Sequence, residues 1–168
     1  VVEVPDVKKE IFSRLEDACP AGTVLASNTS SLDIFSIVEV KDPKRLVGAH
    51  WFAPPHIIPL VEVAPGPETV PEVVKFTDGL MKRIGKETLV MKEFVPGFIV
   101  NRLQNAIALP VLEMLAQGSA SPEDIDRAVK LTLATRGADH VEVGGDGLSG
   151  GGAHQQGQQR RDLVQARY

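Results

Sequence analysis

The feature that most constrains this chain is a short apolar segment, Thr23–Ser27, that lies between two helical patterns. The segment is too short for a buried helix, contains β-branched residues and is bounded by turn residues, which predicts an interior strand. Apolar residues recur at helical spacing before it, from Pro5 to Cys19. After it we predict a short helix from Leu32 to about Val38 and a strand from Leu46 to His50. This alternation predicts an α/β fold with a mainly parallel sheet over residues 1 to about 65.

The pattern becomes more helical beyond residue 65. Thr69 and Glu72 have the spacing of a capping box, which predicts the start of a helix that ends at Gly85. Pro96 and Gly97 then precede a long apolar segment, Phe98–Gln117. Its apolar positions surround most of a helix, so we expect most of that helix to be buried. A further helix is predicted to begin at Ser121 and to run to about Thr135.

These patterns divide the chain into three parts. We expect residues 1–96 to form a partial α/β domain and residues 97–136 to begin a helical domain. Residues 137–168 contain eight Gly and five Gln. Because such a segment buries too little apolar surface to offset the entropy of ordering it, we expect it to be disordered.

Composition and charge exclude several classes of function. Lys and Arg total 18 against 22 Asp and Glu, a net charge of −4, which argues against a nucleic-acid binder that contacts phosphates. Cys19 is the single cysteine, so an internal disulfide and a thiolate metal site are excluded. No apolar run reaches the roughly 18 residues of a membrane-spanning helix. We therefore expect a cytoplasmic protein without a metal or a membrane contact.

Polar residues that could carry chemistry follow the predicted strands. The segment Asn28–Ser31 comes at the end of one strand, where it is either a helix cap or part of a ligand site. His50 ends another strand, and Glu62 lies twelve residues later within an apolar run. Neighbouring strands could bring the two together, so that the carboxylate accepts the proton of one ring nitrogen and the other nitrogen acts as a base. A core histidine with ordinary hydrogen bonds is the alternative.

Two further patterns are weaker. Asn101 lies near the start of the long helix, where it is either a first-turn polar residue or a site residue. Gly145, Gly147 and Gly150 match the glycine pattern of dinucleotide-binding proteins. No helical pattern follows these glycines, so we dismiss them as a pyrophosphate site.

Five segments, taken together in order and spacing, resemble the 3-hydroxyacyl-CoA dehydrogenase family. They are Ala26–Leu32, Gly48–Phe52, Leu60–Val63, Pro96–Leu103 and Ser121–Asp126. The resemblance runs from about Val2 to Thr135. Within the family, Pro54–Glu62 and Pro67–Thr69 are more similar to the λ-crystallin and L-gulonate dehydrogenase branch, which leaves open a substrate without CoA.

The resemblance implies a Rossmann-type NAD-binding domain, followed by an all-α dimerisation domain. It implies oxidation of a 3-hydroxy acid or 3-hydroxyacyl-CoA by hydride transfer to NAD, with His50 as the base and Glu62 orienting it. Ser30 corresponds to the residue that contacts both the substrate oxygen and the nicotinamide, and Asn101 to the one that polarises the reacting oxygen.

Three other residues are implied to bind the cofactor. Asn28 belongs to the same strand-end segment as Ser30. Glu3 and Lys8 correspond to an acidic and a basic residue near the nicotinamide ribose. Family members usually carry an Asn at the position of Ala53, so the resemblance implies that one nicotinamide contact is missing here.

The resemblance also implies that the chain is incomplete at both ends. The glycine-rich turn that holds the pyrophosphate has no counterpart, and similarity stops near Arg136. We therefore expect the chain alone to bind NAD weakly or not at all and to be inactive, and we expect its apolar helix to drive homodimerisation. The alternative is a non-catalytic, crystallin-like structural protein that keeps the fold.

Overall fold

The structure is a computed structural model, and it describes residues 2–133. The chain separates into two compact units, the first ending at Ala108 and the second beginning at Leu109. The expected disordered tail, residues 137–168, and the dismissed glycine pattern at 145–150 lie outside the described residues. The elements are α1 (Pro5–Ala18), β1 (Leu25–Ser27), α2 (Ile34–Ile37), a 3-10 turn (Pro43–Arg45), β2 (Leu46–Trp51), β3 (Leu60–Pro65), α3 (Pro71–Arg83), β4 (Glu87–Val90), α4 (Val100–Ala116), α5 (Pro122–Ala128) and a π-helical segment (Val129–Leu133).

The four strands form one sheet in the order β1-β2-β3-β4. β1 runs parallel to β2, and β3 runs parallel to β4. β2 and β3 are antiparallel, because the loop 52–59 between them is too short for the crossover that parallel neighbours require. Two of the three strand pairs are parallel, so the sheet is mainly parallel. The predicted α/β class, with a Rossmann-type sheet and a following helical segment, is confirmed.

Side chains of the two central strands, β2 and β3, alternate between the two faces of the sheet. One face packs in the core, and the other carries the candidate site residues. Val47, Ala49, Val61 and Val63 are buried together with side chains of α3. Because successive side chains of a strand point to opposite faces, His50 and Glu62 lie on the other face of the sheet. A second cluster of buried apolar side chains joins β1 and β2 to the first two helices; its members are Phe12, Leu25, Ile34, Val38 and Leu46.

Two predictions about the helices were wrong. α3 begins at Pro71 with Val70 as its N-cap, and the cap has no side-chain hydrogen bond. The Thr69 hydroxyl is already engaged in the preceding turn, where it accepts from Gly66 N at 2.8 Å and donates to Leu46 O. α4 buries none of its side chains fully, contrary to the expectation that most of the helix is buried, because the described residues cover its apolar positions at most in part.

The residues that the structure describes contain no helix both long and apolar enough to cross a bilayer.

Candidate active site

His50 and Glu62 face each other across the antiparallel pair β2 and β3, where they occupy the same register position. The His50 Nδ1 atom lies 2.8 Å from Glu62 Oε2, and the side chains are 3% and 0% exposed. An ionised carboxylate can only accept, so Nδ1 carries a proton, and in the neutral imidazole Nε2 is then the nitrogen with the free lone pair. The contact proposed from the sequence is thus present, and it fixes one tautomer of the imidazole.

The second oxygen of Glu62 is held by the start of α4. Oε1 accepts hydrogen bonds from the backbone N–H groups of Ile99 and Val100, at 2.9 and 3.0 Å. Three donors therefore compensate the cost of burying this carboxylate, two of them N–H groups that a helix leaves unpaired at its first turn. These two donors could not be predicted from the sequence, because every residue except proline carries a backbone N–H group.

Two aromatic rings enclose the imidazole. Phe98 stacks on His50 with a centroid distance of 4.6 Å, and Phe52 meets it edge-on at 4.6 Å. Phe98 is fully buried and has a φ of 51°, a strained value for a residue with a large side chain. We infer that burial of the ring holds this backbone conformation. Phe98 was predicted as a core residue and its contact with His50 was not predicted, although the preceding Pro96 and Gly97 indicated a break in the chain.

The second ring nitrogen of His50 remains available. Nε2 has no hydrogen-bond partner among residues 2–133. Arg45 Nε is the single buried side-chain nitrogen or oxygen without a partner in that range, so His50 Nε2 retains contact with solvent. An imidazole with Nδ1 bound to a carboxylate and Nε2 open can accept a proton from a ligand.

Asn28, Ser30 and Asn101 lie around the carboxyl end of β1. The Asn28 side chain is exposed, and its Oδ1 accepts from Trp51 N at 2.9 Å, which ties the ends of β1 and β2 together. Ser30 is exposed and its carbonyl accepts from Asn101 Nδ2 at 3.1 Å. The structure therefore brings Ser30 and Asn101 together, 71 residues apart in sequence. Exposed amide and hydroxyl groups at the end of a strand fit a nicotinamide nucleotide.

Glu3 and Lys8 contact the same region. Glu3 Oε1 accepts from Ser30 N at 2.9 Å, and Glu3 Oε2 pairs with Lys8 Nζ at 2.8 Å. Lys8 is buried, with only 1% of its side chain exposed. Within the described residues, no group of three His, Cys, Asp or Glu side chains could hold a metal ion.

Family models match two consecutive parts of the chain. The NAD binding domain of 3-hydroxyacyl-CoA dehydrogenase matches residues 1–94, more than half of the sequence. The chain belongs to the 3-hydroxyacyl-CoA dehydrogenase family. The C-terminal domain of the same family matches residues 97–138. The family predicted from the five sequence segments is confirmed.

Individual relatives extend the comparison. L-carnitine dehydrogenase of Streptomyces griseus is 43% identical over 125 residues, which cover 74% of this chain and 37% of the relative. The human lambda-crystallin homolog is 38% identical over 140 residues, which cover 81% of this chain and 43% of the relative. A crystal structure of 5-formyl-3-hydroxy-2-methylpyridine 4-carboxylic acid 5-dehydrogenase, an NAD⁺-dependent dismutase, superposes with a TM-score of 0.79 at 28% identity. It covers 99% of this chain and 51% of the solved one. The chain thus spans about two fifths of these two relatives and half of the solved structure.

Proposed function

We propose that the protein is an NAD-dependent dehydrogenase that oxidises the 3-hydroxyl group of a small hydroxy acid or of its CoA thioester. The observation that carries the proposal is the buried pair of His50 and Glu62, whose geometry leaves Nε2 of the imidazole open. Membership of the family supports the reaction class. The exposed groups of Asn28 and Ser30 support binding of the nicotinamide end of NAD beside this pair.

His50 acts as the general base in this mechanism. Its Nε2 accepts the proton of the substrate hydroxyl, while the Nδ1 proton stays on the ring and is donated in a hydrogen bond to Glu62, whose carboxylate stabilises the positive charge that forms on the ring. When bound, NAD would accept the hydride from the carbon that bears this hydroxyl group, and the alcohol would become a ketone. Phe98 and Phe52 exclude water from two sides of the imidazole. Low local polarity strengthens the attraction between the imidazolium and the carboxylate.

The remaining site residues orient the two ligands. We assign Asn101 to the substrate oxygen, where an amide N–H stabilises developing negative charge. Ser30 is assigned to both the substrate oxygen and the nicotinamide, and Asn28 to the cofactor. The hydrogen bond from Asn101 to Ser30 supports a shared position for these residues. We assign Glu3 and Lys8 to the region of the nicotinamide ribose, and the hydrogen bond from Ser30 N to Glu3 Oε1 supports a position beside Ser30.

The names of the relatives suggest two classes of substrate for this protein, and one non-catalytic alternative. L-carnitine dehydrogenase is named for a hydroxy acid without CoA, and 3-hydroxyadipyl-CoA dehydrogenase of Escherichia coli for a CoA thioester. The lambda-crystallin homolog supports a crystallin-like structural protein as the alternative. The intact pair of His50 and Glu62 favours an enzyme, because a purely structural role does not require a base with an open nitrogen.

The test is NAD-dependent turnover, by a complete homologue that carries the same pair, on a panel of L-carnitine, sugar acids and 3-hydroxyacyl-CoA thioesters. We expect one class to be oxidised and His50→Gln to lower kcat about 10²- to 10⁴-fold with little change in NAD affinity. His56→Gln is the matched control, since His56 is exposed in the loop 52–59. Full turnover by His50→Gln would contradict the assignment of the base. Lack of turnover on the whole panel would favour the structural alternative.

We also propose that the protein is a homodimer in the cytoplasm. Apolar side chains exposed on α4 support association with a second copy, because water-exposed apolar surface of this extent is costly. The free thiol of Cys19 supports a reducing compartment.

A further inference from the structure

The ammonium group of Lys86 contacts three groups in and beside the loop 52–59. Lys86 Nζ donates hydrogen bonds to the carbonyl of Pro55 and, at 3.0 Å, to the carbonyl of Ile58. It also lies 5.4 Å from the ring centroid of Trp51, within the range of a cation–π contact. In the part of the chain that the structure describes, no carboxylate pairs with this ammonium group. Backbone carbonyls and an aromatic face therefore take the place of a counter-ion.

The loop makes few hydrogen bonds of its own. Three of its eight residues are prolines, which have no backbone N–H group. Ile57 and Ile58 donate within the loop, both to the Pro54 carbonyl at 3.1 Å. Lys86 adds two hydrogen bonds from a charged donor, which are stronger than those between neutral groups. The conformation of the loop therefore depends on a residue outside it.

The backbone of Lys86 is fixed by the elements on either side. Lys86 follows Gly85, which has a φ of 82°, and its N–H donates to Met81 O at 3.0 Å. This is the Schellman pattern that ends α3. Glu87 N then donates to Pro59 O at 3.0 Å where β4 begins. The side chain of Lys86 thus extends to the loop from a rigid junction between a helix and a strand.

The loop begins at Phe52, one of the two aromatic residues that enclose His50. The Phe52 ring meets the imidazole edge-on at a centroid distance of 4.6 Å. The preceding side chain, Trp51, packs instead against the core on the opposite face of the sheet. Lys86 therefore contacts the chain directly before Phe52, at the Trp51 ring, and again three residues after it. These contacts hold the segment that carries Phe52 at both ends.

We propose that Lys86 is a positioning residue, which holds the loop 52–59 and through it keeps the ring of Phe52 against His50. Without the ammonium group, two loop carbonyls lose a charged donor, and the loop opens more often. Phe52 then leaves one side of the imidazole to water, and the general base is less well oriented for proton transfer. The effect on turnover rests on the proposed function, whereas the effects on the loop and on the imidazole do not.

The first arm of the test observes the loop and the imidazole by NMR in the intact chain. In Lys86→Met, we expect hydrogen exchange of the Ile57 and Ile58 amides to become about 10- to 100-fold faster, the factor that corresponds to losing hydrogen bonds to a charged group. We also expect the ring proton signals of His50 to shift, because the ring current of Phe52 no longer acts on them. Unchanged exchange or unchanged His50 signals would overturn the proposal.

A second variant and a control separate the charge from the fold. Lys86→Arg keeps the positive charge, the donors and the affinity for an aromatic face. We expect it to cause smaller changes of the same signals, and it replaces Lys86→Met if that variant does not fold. Lys92→Met is the matched control, because Lys92 is an exposed lysine beyond the other end of β4. Changes as large in Lys86→Arg or in Lys92→Met as in Lys86→Met would overturn the proposal.

A kinetic arm uses a complete homologue that carries the same pair and the same lysine. Lys86→Met is expected to lower kcat about 10- to 100-fold with little change in the KM for NAD. Because Lys86 acts through Phe52, adding Lys86→Met to Phe52→Leu should cost little further kcat, whereas additive losses would overturn the proposal. If the homologue oxidises nothing, the proposed function fails, while the exchange rates and the His50 signals still decide the role of Lys86.

Discussion

Glu62 connects three parts of the site through two oxygens. One oxygen sets the tautomer of His50, and the other fixes the first turn of α4, which carries Asn101. The residue is fully buried, so every change at this position leaves polar groups without partners. Removing a single partner of a buried hydrogen-bonded charge is more damaging than its contact energy suggests.

Glu62→Gln is predicted to reverse the tautomer of His50. The amide oxygen must face the donors Ile99 N and Val100 N, so the amide N–H₂ group faces Nδ1. Nδ1 then has to accept, and the proton moves to Nε2, which can no longer act as a base. We expect kcat to fall about 10²- to 10⁴-fold.

Nitrogen chemical shifts of the His50 ring measure this tautomer directly in the 168-residue chain. Glu68→Gln, at an exposed site between β3 and α3, is the control. A ring that keeps its proton on Nδ1 in Glu62→Gln would show that the carboxylate does not determine the tautomer.

At the scale of elements, the junction of β3 with α2 depends on a glycine. A Cβ atom at Gly66 would lie 2.1 Å from Cδ1 of Phe35, which also packs edge-on against Phe94. The ring cannot move away without losing that contact. Gly79, inside α3, has open space where a Cβ would be.

These two glycines give a matched pair of substitutions. Gly66→Ala should lower the free energy of unfolding by about 1–3 kcal/mol, the usual cost of overpacking. Gly79→Ala should raise it by about 0.5–1 kcal/mol, because alanine loses less backbone entropy in a helix. Urea denaturation followed by circular dichroism measures both. Equal effects of the two substitutions would mean that Phe35 does not pack against β3 as described.

For the whole molecule, we predict that exposed apolar side chains of α4 form an interface with a second copy of the chain. Four of its large apolar side chains are more than half exposed; they are Leu103, Ile107, Leu109 and Leu112. Burying this surface against a second copy would remove it from water, and closed two-fold dimers are the commonest solution.

Light scattering is expected to give twice the mass of one chain. Leu112→Asp should shift the population towards monomer, since it places a charge in the proposed interface. Ile57→Asp is the matched control, because Ile57 is equally exposed but lies in the loop between β2 and β3. A monomer at all concentrations, or an equal effect of both substitutions, would rule out α4 as the interface.

The positions of the elements followed from the sequence because the signals that define them are local. The strand from Leu46 was predicted to within one residue, and the helix from Pro5 likewise, since alternation, helical spacing and proline act within a few residues. The predicted N-cap of α3 was wrong because of a tertiary contact. The Thr69 hydroxyl donates a hydrogen bond to the carbonyl of Leu46, 23 residues away in sequence.

The candidate site residues could be identified from the sequence, but most of the groups that they contact could not. His50 and Glu62 could be proposed as a pair because two adjacent strands limit where they lie. The donors Ile99 N and Val100 N, the stacking of Phe98 and the hydrogen bond between Thr29 and Glu3 required the folded chain, because each joins groups 26 or more residues apart. Local chemistry therefore determined which elements and candidate residues this protein has, and long-range packing alone decided which oxygen meets which donor.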